Sequence, residues 1–146
     1  MSYQTWHTYG YGVCMDEIEV KSVDAVKRLV SLAPKLEDDI KDYFEGNDIT
    51  EPTLKDYEAF DEEDENMGIA GIVQKVIYEV EEIELTACDD FDGLRYLVFE
   101  VSYPWRFLER ERNMTEEDVK QLFTKYLSII TKQKVEPYYC SIGNGG

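Results

Sequence analysis

Thirty residues, Leu36 to Glu65, carry fourteen carboxylates against two lysines, Lys41 and Lys55, and hold −12 of the chain's formal −17. A segment so charged stays folded only if something fastens it. Apolar residues offer that at helical spacing: Leu36, Ile40, Tyr43 and Phe44, then Leu54, Tyr57 and Phe60. The pattern predicts two short helices, each with one side on the core and its carboxylates turned outward. The end of the stretch is densest, with Asp56, Glu58, Asp61, Glu62, Glu63, Asp64 and Glu65 in ten positions.

The flanking elements follow from period and punctuation. Met1 to Met15 reads as extended, with Tyr9, Tyr11 and Val13 on one face and Trp6 and Cys14 on the other; Gly10 and Gly12 mark a bulge or a close backbone approach. Ser22 caps a helix whose stripe is Val23, Val26, Leu29, Val30 and Ala33. Pro34 suits the first turn of the next helix, over about Lys35 to Glu45, with Gly46-Asn47 as its stop. Pro52-Thr53 starts a third. Asn66 is placed to cap a fourth, Gly68 to Val80, whose apolar residues recur at three and four despite their β-branching.

The period then changes to two. Ile83, Leu85 and Ala87 alternate with acids and a threonine, Asp89 to Gly93 turns, and Leu94 to Val101 returns as an inner strand, apolar on both faces. Thr115 with Asp118 starts a last helix on Val119, Leu122, Phe123, Tyr126, Leu127 and Ile130. Val135 to Ile142 is a final short strand, and the terminal glycines are expected to fray. The expected fold is α+β: a mostly antiparallel four-stranded sheet packed by about five helices, in one domain spanning residues 1–146.

Composition excludes several classes. At 43% hydrophobic and 13% aromatic the chain has material for a core. No apolar run reaches the roughly 20 residues of a membrane span, and no secretory signal is visible at Met1. Cys14, Cys88 and Cys140, odd in number and far apart, suit buried thiols in a reducing compartment. The expected location is cytoplasmic. A charge of −17 repels phosphates, which argues against direct binding to nucleic acid or an anionic membrane and favours a basic partner.

Chemical motifs are sparse. His7 is the one histidine, and no cysteine pair has zinc spacing. A Cys14 or Cys140 nucleophile with His7 as base requires the terminal strands to pair. Asp89, Asp90 and Asp92 crowd one turn but lack the ligand ladder of a calcium loop; local hydrogen bonding, with Gly93 at positive φ, explains them more simply. No phosphate-binding glycine loop and no G-x-S-x-G occurs. Trp105, with Tyr103, Arg106 and Phe107, is an aromatic-basic cluster that either staples a loop to the core or anchors a partner. No catalytic residue, metal site or cofactor is assigned.

Four segments carry a resemblance: Tyr3 to Gly12, Thr86 to Gly93, Ser102 to Trp105 and Met114 to Val119, together with the Gly-Asn-Gly-Gly end. They resemble a group of small acidic proteins carried by bacterial phages and conjugative elements. The resemblance supplies no catalytic residues. It implies a mobile-element setting, in which acidic anti-CRISPR and anti-restriction inhibitors block a host nuclease at its DNA site; the step to inhibition is an analogy of composition and context.

Residues Arg106 to Gly146 are nearly neutral, with seven basic and six acidic residues, so the negative field is one-sided. Duplex DNA presents a phosphate every ~3.4 Å per strand, a row that carboxylates on successive helical turns imitate. The expected function is a non-enzymatic acidic inhibitor or DNA mimic that binds a basic, nucleic-acid-binding protein such as a nuclease. The expected partner-binding residues are Asp56, Glu58, Asp61, Glu62, Glu63, Asp64 and Glu65, supported by Asp38, Asp39 and Asp42. The alternatives are a small cation-dependent or thiol enzyme, using the Asp89–Asp92 turn or Cys14 with His7, and an acidic interaction module without inhibitory role.

Overall fold

A computed structural model describes residues 5–60, 68–90, 92–100 and 114–145, with backbone alone for 5–9, 141 and 143–145. In chain order the elements are β1 (Thr5–Cys14), a 3-10 turn (Met15–Glu17), α1 (Val23–Val30), α2 (Pro34–Gly46), α3 (Leu54–Phe60), α4 (Ile69–Glu81), β2 (Thr86–Asp89), β3 (Arg95–Glu100), α5 (Glu116–Ile130) and β4 (Tyr138–Gly145). The fold is α+β, with five helices and a four-stranded antiparallel sheet among the described residues. The expected Asn66 cap and the Trp105 cluster lie outside the described residues.

The sheet order is β2-β3-β1-β4. The hairpin therefore supplies one side, and the two terminal strands the other. β1 pairs β3 from Gly10↔Glu100 to Cys14↔Tyr96, and pairs β4 from Thr5↔Gly145 to Gly12↔Tyr138. Gly143 and Gly145, expected to fray, are thus strand residues, because the first half of β1 uses them as ladder partners. Gly10 and Gly12 mark a close approach: a Cβ on either would run into the β3 backbone, at the carbonyls of Phe99 and Leu97 respectively. The Val98 side chain lies over both, 2.9 Å from each such Cβ position, and is fully buried.

Helices α4 and α5 rest on the sheet, and α1 packs on both of them. One core cluster runs from Val13 and Met15 of the N-terminal segment through all five helices to Leu97, Phe99 and Val135. Val98, Cys140 and Ile142 form a smaller buried cluster on the other sheet face, joined by Cys88 and Tyr96. This is why three successive β3 residues, Leu97, Val98 and Phe99, are all buried. The predicted stripe of α5 is buried without exception, and both hydrogen bonds of the Thr115–Asp118 capping box form.

Helix α4 wins over a strand because its period closes. Ile69, Ile72, Val73, Val76 and Ile77 share one buried side, and the first turn is buried all round, which offsets the few tenths of a kcal/mol lost at each β-branched position. Gly68, at φ 57, precedes it, and Glu82, at φ 58, ends it. Helix α2 stops at Gly46-Asn47, as the pattern predicts. Gly46 is its last helical residue, Asn47 donates its side-chain N–H to the Tyr43 carbonyl at 2.8 Å, and Asp48 takes the left-handed conformation at φ 57. No helix among the described residues is long and apolar enough to cross a membrane.

Candidate functional site: an acidic helix face

Helix α2 presents the acid face. Leu36, Ile40 and Phe44 are buried, while Glu37, Asp38, Asp39, Asp42 and Glu45 are all exposed. Asp38, Asp42 and Glu45 stand four and three residues apart, so they form one stripe with rises of about 6 and 4.5 Å. Asp39 widens it. Lys35 and Lys41 are the cations on this helix.

The stripe is held from both ends. Ala33 offers no capping side chain at the helix start. Glu79 of α4 supplies one from across the fold, accepting the Lys35 N–H with Oε2 and the Leu36 N–H with Oε1, each at 3.0 Å. A carboxylate at that end also favours the helix dipole, which opposes Asp42 and Glu45 near the other end. Towards its C-terminus α2 is tied to α3 by aromatic edges: Tyr43 meets Phe60 at 5.4 Å and Phe44 meets Tyr57 at 5.0 Å between ring centres. Glu37 faces this junction, adding to the burial that raises the Tyr57 hydroxyl pKa.

The expected binding residues fall into three groups. Asp38, Asp39 and Asp42 are exposed on α2. Asp56 and Glu58 are engaged within the fold. Asp56 accepts the backbone N–H of Thr53 at 2.8 Å and its hydroxyl at 3.1 Å, while donating its own N–H back to Thr53 Oγ1 at 3.3 Å. This capping box starts α3. Glu58 pairs with Arg95 of β3 at 2.6 Å and lies directly against Gly68. Asp61, Glu62, Glu63, Asp64 and Glu65 lie outside the described residues.

Acids outside this stretch are structural too. Glu81, with its side chain only 14% exposed, accepts the Tyr126 hydroxyl at 2.6 Å and the Lys125 ammonium at 2.9 Å. Glu116 accepts the Tyr11 hydroxyl, Glu100 accepts that of Thr86 at 2.8 Å, and Asp16 accepts the Arg95 N–H. A run of acids in sequence does not distinguish these from free carboxylates. The missing cap at Ala33-Pro34 was the one signal pointing to a remote partner such as Glu79.

In the hairpin turn, Asp90 Oδ1 accepts the N–H groups of Asp92 and Leu94 at 2.9 and 3.0 Å, and Oδ2 accepts the Tyr96 hydroxyl at 3.3 Å. Gly93 takes φ 81. These bonds occupy Asp90 locally, as turn chemistry requires. Among the described residues no three His, Cys, Asp or Glu groups are placed to hold a metal ion.

The terminal strands do pair, but their register separates the thiol-base candidates. His7 stands opposite Gly143, whereas Cys140 stands opposite Gly10, three residues further along β1. Cys14 is seven residues from His7, roughly 23 Å along the strand. Cys14 and Cys88 both pair with Tyr96, one from either side. Burial is the leading cause raising the Cys14 and Cys140 pKa values, which keeps both as thiols. Burial likewise pushes up the Tyr96 hydroxyl, with Cys14 and Asp90 adding to it.

No protein-family model, no curated protein and no solved structure matches this chain.

Proposed function

We propose that the protein is a non-enzymatic acidic ligand of a basic, nucleic-acid-binding protein, and that it acts as a DNA mimic. The observation that carries this reading is the α2 stripe. Asp38, Asp39, Asp42 and Glu45 are exposed on a helix that the core and Glu79 hold in place. A fixed row of carboxylates meets a phosphate-binding channel without a large ordering cost, whereas a mobile acidic tail would lose conformational entropy on docking. The rest of the −17 adds long-range attraction, which speeds encounter and is screened by salt.

The receptor class follows from the field: a groove lined by lysine and arginine, as in a DNA- or RNA-guided nuclease of a host defence system. Such a receptor places the protein in the cytoplasm of a bacterial cell and in the mobile-element setting that the sequence resembles.

The test is binding of the triple variant D38K/D39K/D42K to a purified RNA-guided nuclease, compared with wild type at low and high salt. The wild type should bind, weaken as salt rises, and compete with duplex DNA. The variant should lose at least about tenfold in affinity, or ~1.4 kcal/mol. Equal affinities with no salt dependence, or no competition with DNA, overturn the proposal.

A further inference from the structure

The two edges of the sheet are unlike. β2 is four residues long, while β4 runs for eight and is paired with β1 along one side from end to end. Among the described residues no strand takes its other side. An edge strand presents backbone donors and acceptors to any passing strand, and proteins commonly blunt it with lysine, proline or a bulge. Tyr138–Gly145 contains no charged residue and no proline. Tyr138 and Tyr139 are 47% and 55% exposed at its start.

Charge indicates what this edge meets. Residues 114–145 hold four acids (Glu116, Glu117, Asp118 and Glu136) and four lysines (Lys120, Lys125, Lys132 and Lys134), so this part is formally neutral in a chain of −17. β4 itself adds no charge that would draw a basic partner. An uncharged strand also adds no like-charge repulsion between two copies that meet along it.

The strand's own sequence suits that approach. A two-fold axis normal to the sheet leaves each sheet face on its own side, so antiparallel β4 strands pair positions of equal parity. Centred on Ser141, the pairing sets Tyr139 opposite Gly143 of the second copy, Cys140 opposite Ile142 and Tyr138 opposite Asn144. Each exposed ring then lies across from glycine or a small polar residue. An aromatic ring set across from glycine covers backbone that glycine leaves bare.

We propose that the protein forms an isologous homodimer through β4, joining two four-stranded sheets edge to edge. The inference is independent of the acid-face reading and has the opposite salt dependence. Like-charged copies associate more tightly as salt screens them, whereas an acid face releases a basic partner.

The experiment is sedimentation equilibrium of the wild type and of S141K over a concentration series at low and high salt, with circular dichroism to verify folding. The substitution sets two lysines against each other across the axis. The wild type should dimerise, and more strongly at high salt; S141K should raise the dissociation constant at least about tenfold. A wild type that stays monomeric up to about millimolar concentration, or a dimer that S141K leaves intact, overturns the proposal. Should S141K fail to fold, amide exchange on the wild type decides: protection of residues 138–145 that rises with protein concentration supports the interface, and protection independent of concentration refutes it.

Discussion

Glu79 caps a helix to which it does not belong: its Oε1 accepts the Leu36 N–H at 3.0 Å, across 43 residues of sequence. The acid stripe of α2 therefore depends on a contact made by α4. Glu79→Ala removes the acceptor for two backbone donors and should cost about 1–2 kcal/mol, on the scale of losing an N-cap. Glu79→Gln keeps one acceptor and should cost less. Urea unfolding of the two variants gives the ranking, and equal stability of all three proteins would show that the cap contributes nothing.

Gly12 and Gly46 should respond to alanine in opposite directions. At Gly12 the new Cβ meets the Leu97 carbonyl and the Val98 side chain, so β1 and β3 must separate; the expected loss is about 3 kcal/mol or more. At Gly46 nothing lies within 4 Å of the added atom, and the residue is helical. Gly46→Ala should therefore stabilise by up to ~1 kcal/mol. Chemical denaturation of both variants checks the contrast.

The capping box of α5 sets an acid limb. Hydrogen bonds from the Thr115 N–H and side chain hold the Asp118 pKa below its ordinary value of 3.8. A carboxylate with a depressed folded-state pKa contributes stability that is fully present above the unfolded value. That contribution fades as pH falls through the folded one. Asp118→Asn should flatten this part of the stability curve below about pH 4, while the wild type keeps losing stability there. Denaturant midpoints measured from neutral pH down to strong acid provide the comparison.

Salt should stabilise the wild type. With −17 on 146 residues, the folded chain concentrates like charges that added ions screen. The melting temperature should rise with sodium chloride, and D38K/D39K/D42K, which removes six units of negative charge, should show a shallower rise. A melting temperature insensitive to salt in the wild type would mean that internal pairs such as Glu58–Arg95 and Glu81–Lys125 already neutralise the strain.

Local rules located most of the helices. Ser22 capping Ala25, the Thr115–Asp118 box and the α5 stripe are all written within one or two turns of chain, and each forms. The hairpin is equally local, fixed by the change of period at Ile83 and by Gly93. What local rules leave out is long-range. The placing of β1 between β3 and β4, and the strand pairing of Gly143 to Gly145, follow from ladder partners that are far away in sequence, such as Cys14↔Tyr96 and Thr5↔Gly145. The candidate site divides along the same line. Exposure of Asp38, Asp39 and Asp42 is legible from helical period, because their neighbours Leu36 and Ile40 point inward. Engagement of Glu58 and Glu81 is not, because Arg95 and Tyr126 lie 37 and 45 residues away.

The position of β1 also fixes the order in which the sheet can be completed. Its Thr5 is laddered to Gly145, and its Gly10 to both Glu100 and Cys140. During synthesis the first strand made has no neighbour until β3 emerges, and no second one until β4 does. Closing so wide a loop is entropically slow, so sheet formation should be the late, rate-limiting event and the helices the early ones. Until then the glycine-marked strand is an unpaired template, and whatever shields it on the ribosome determines how much of the chain reaches the native fold.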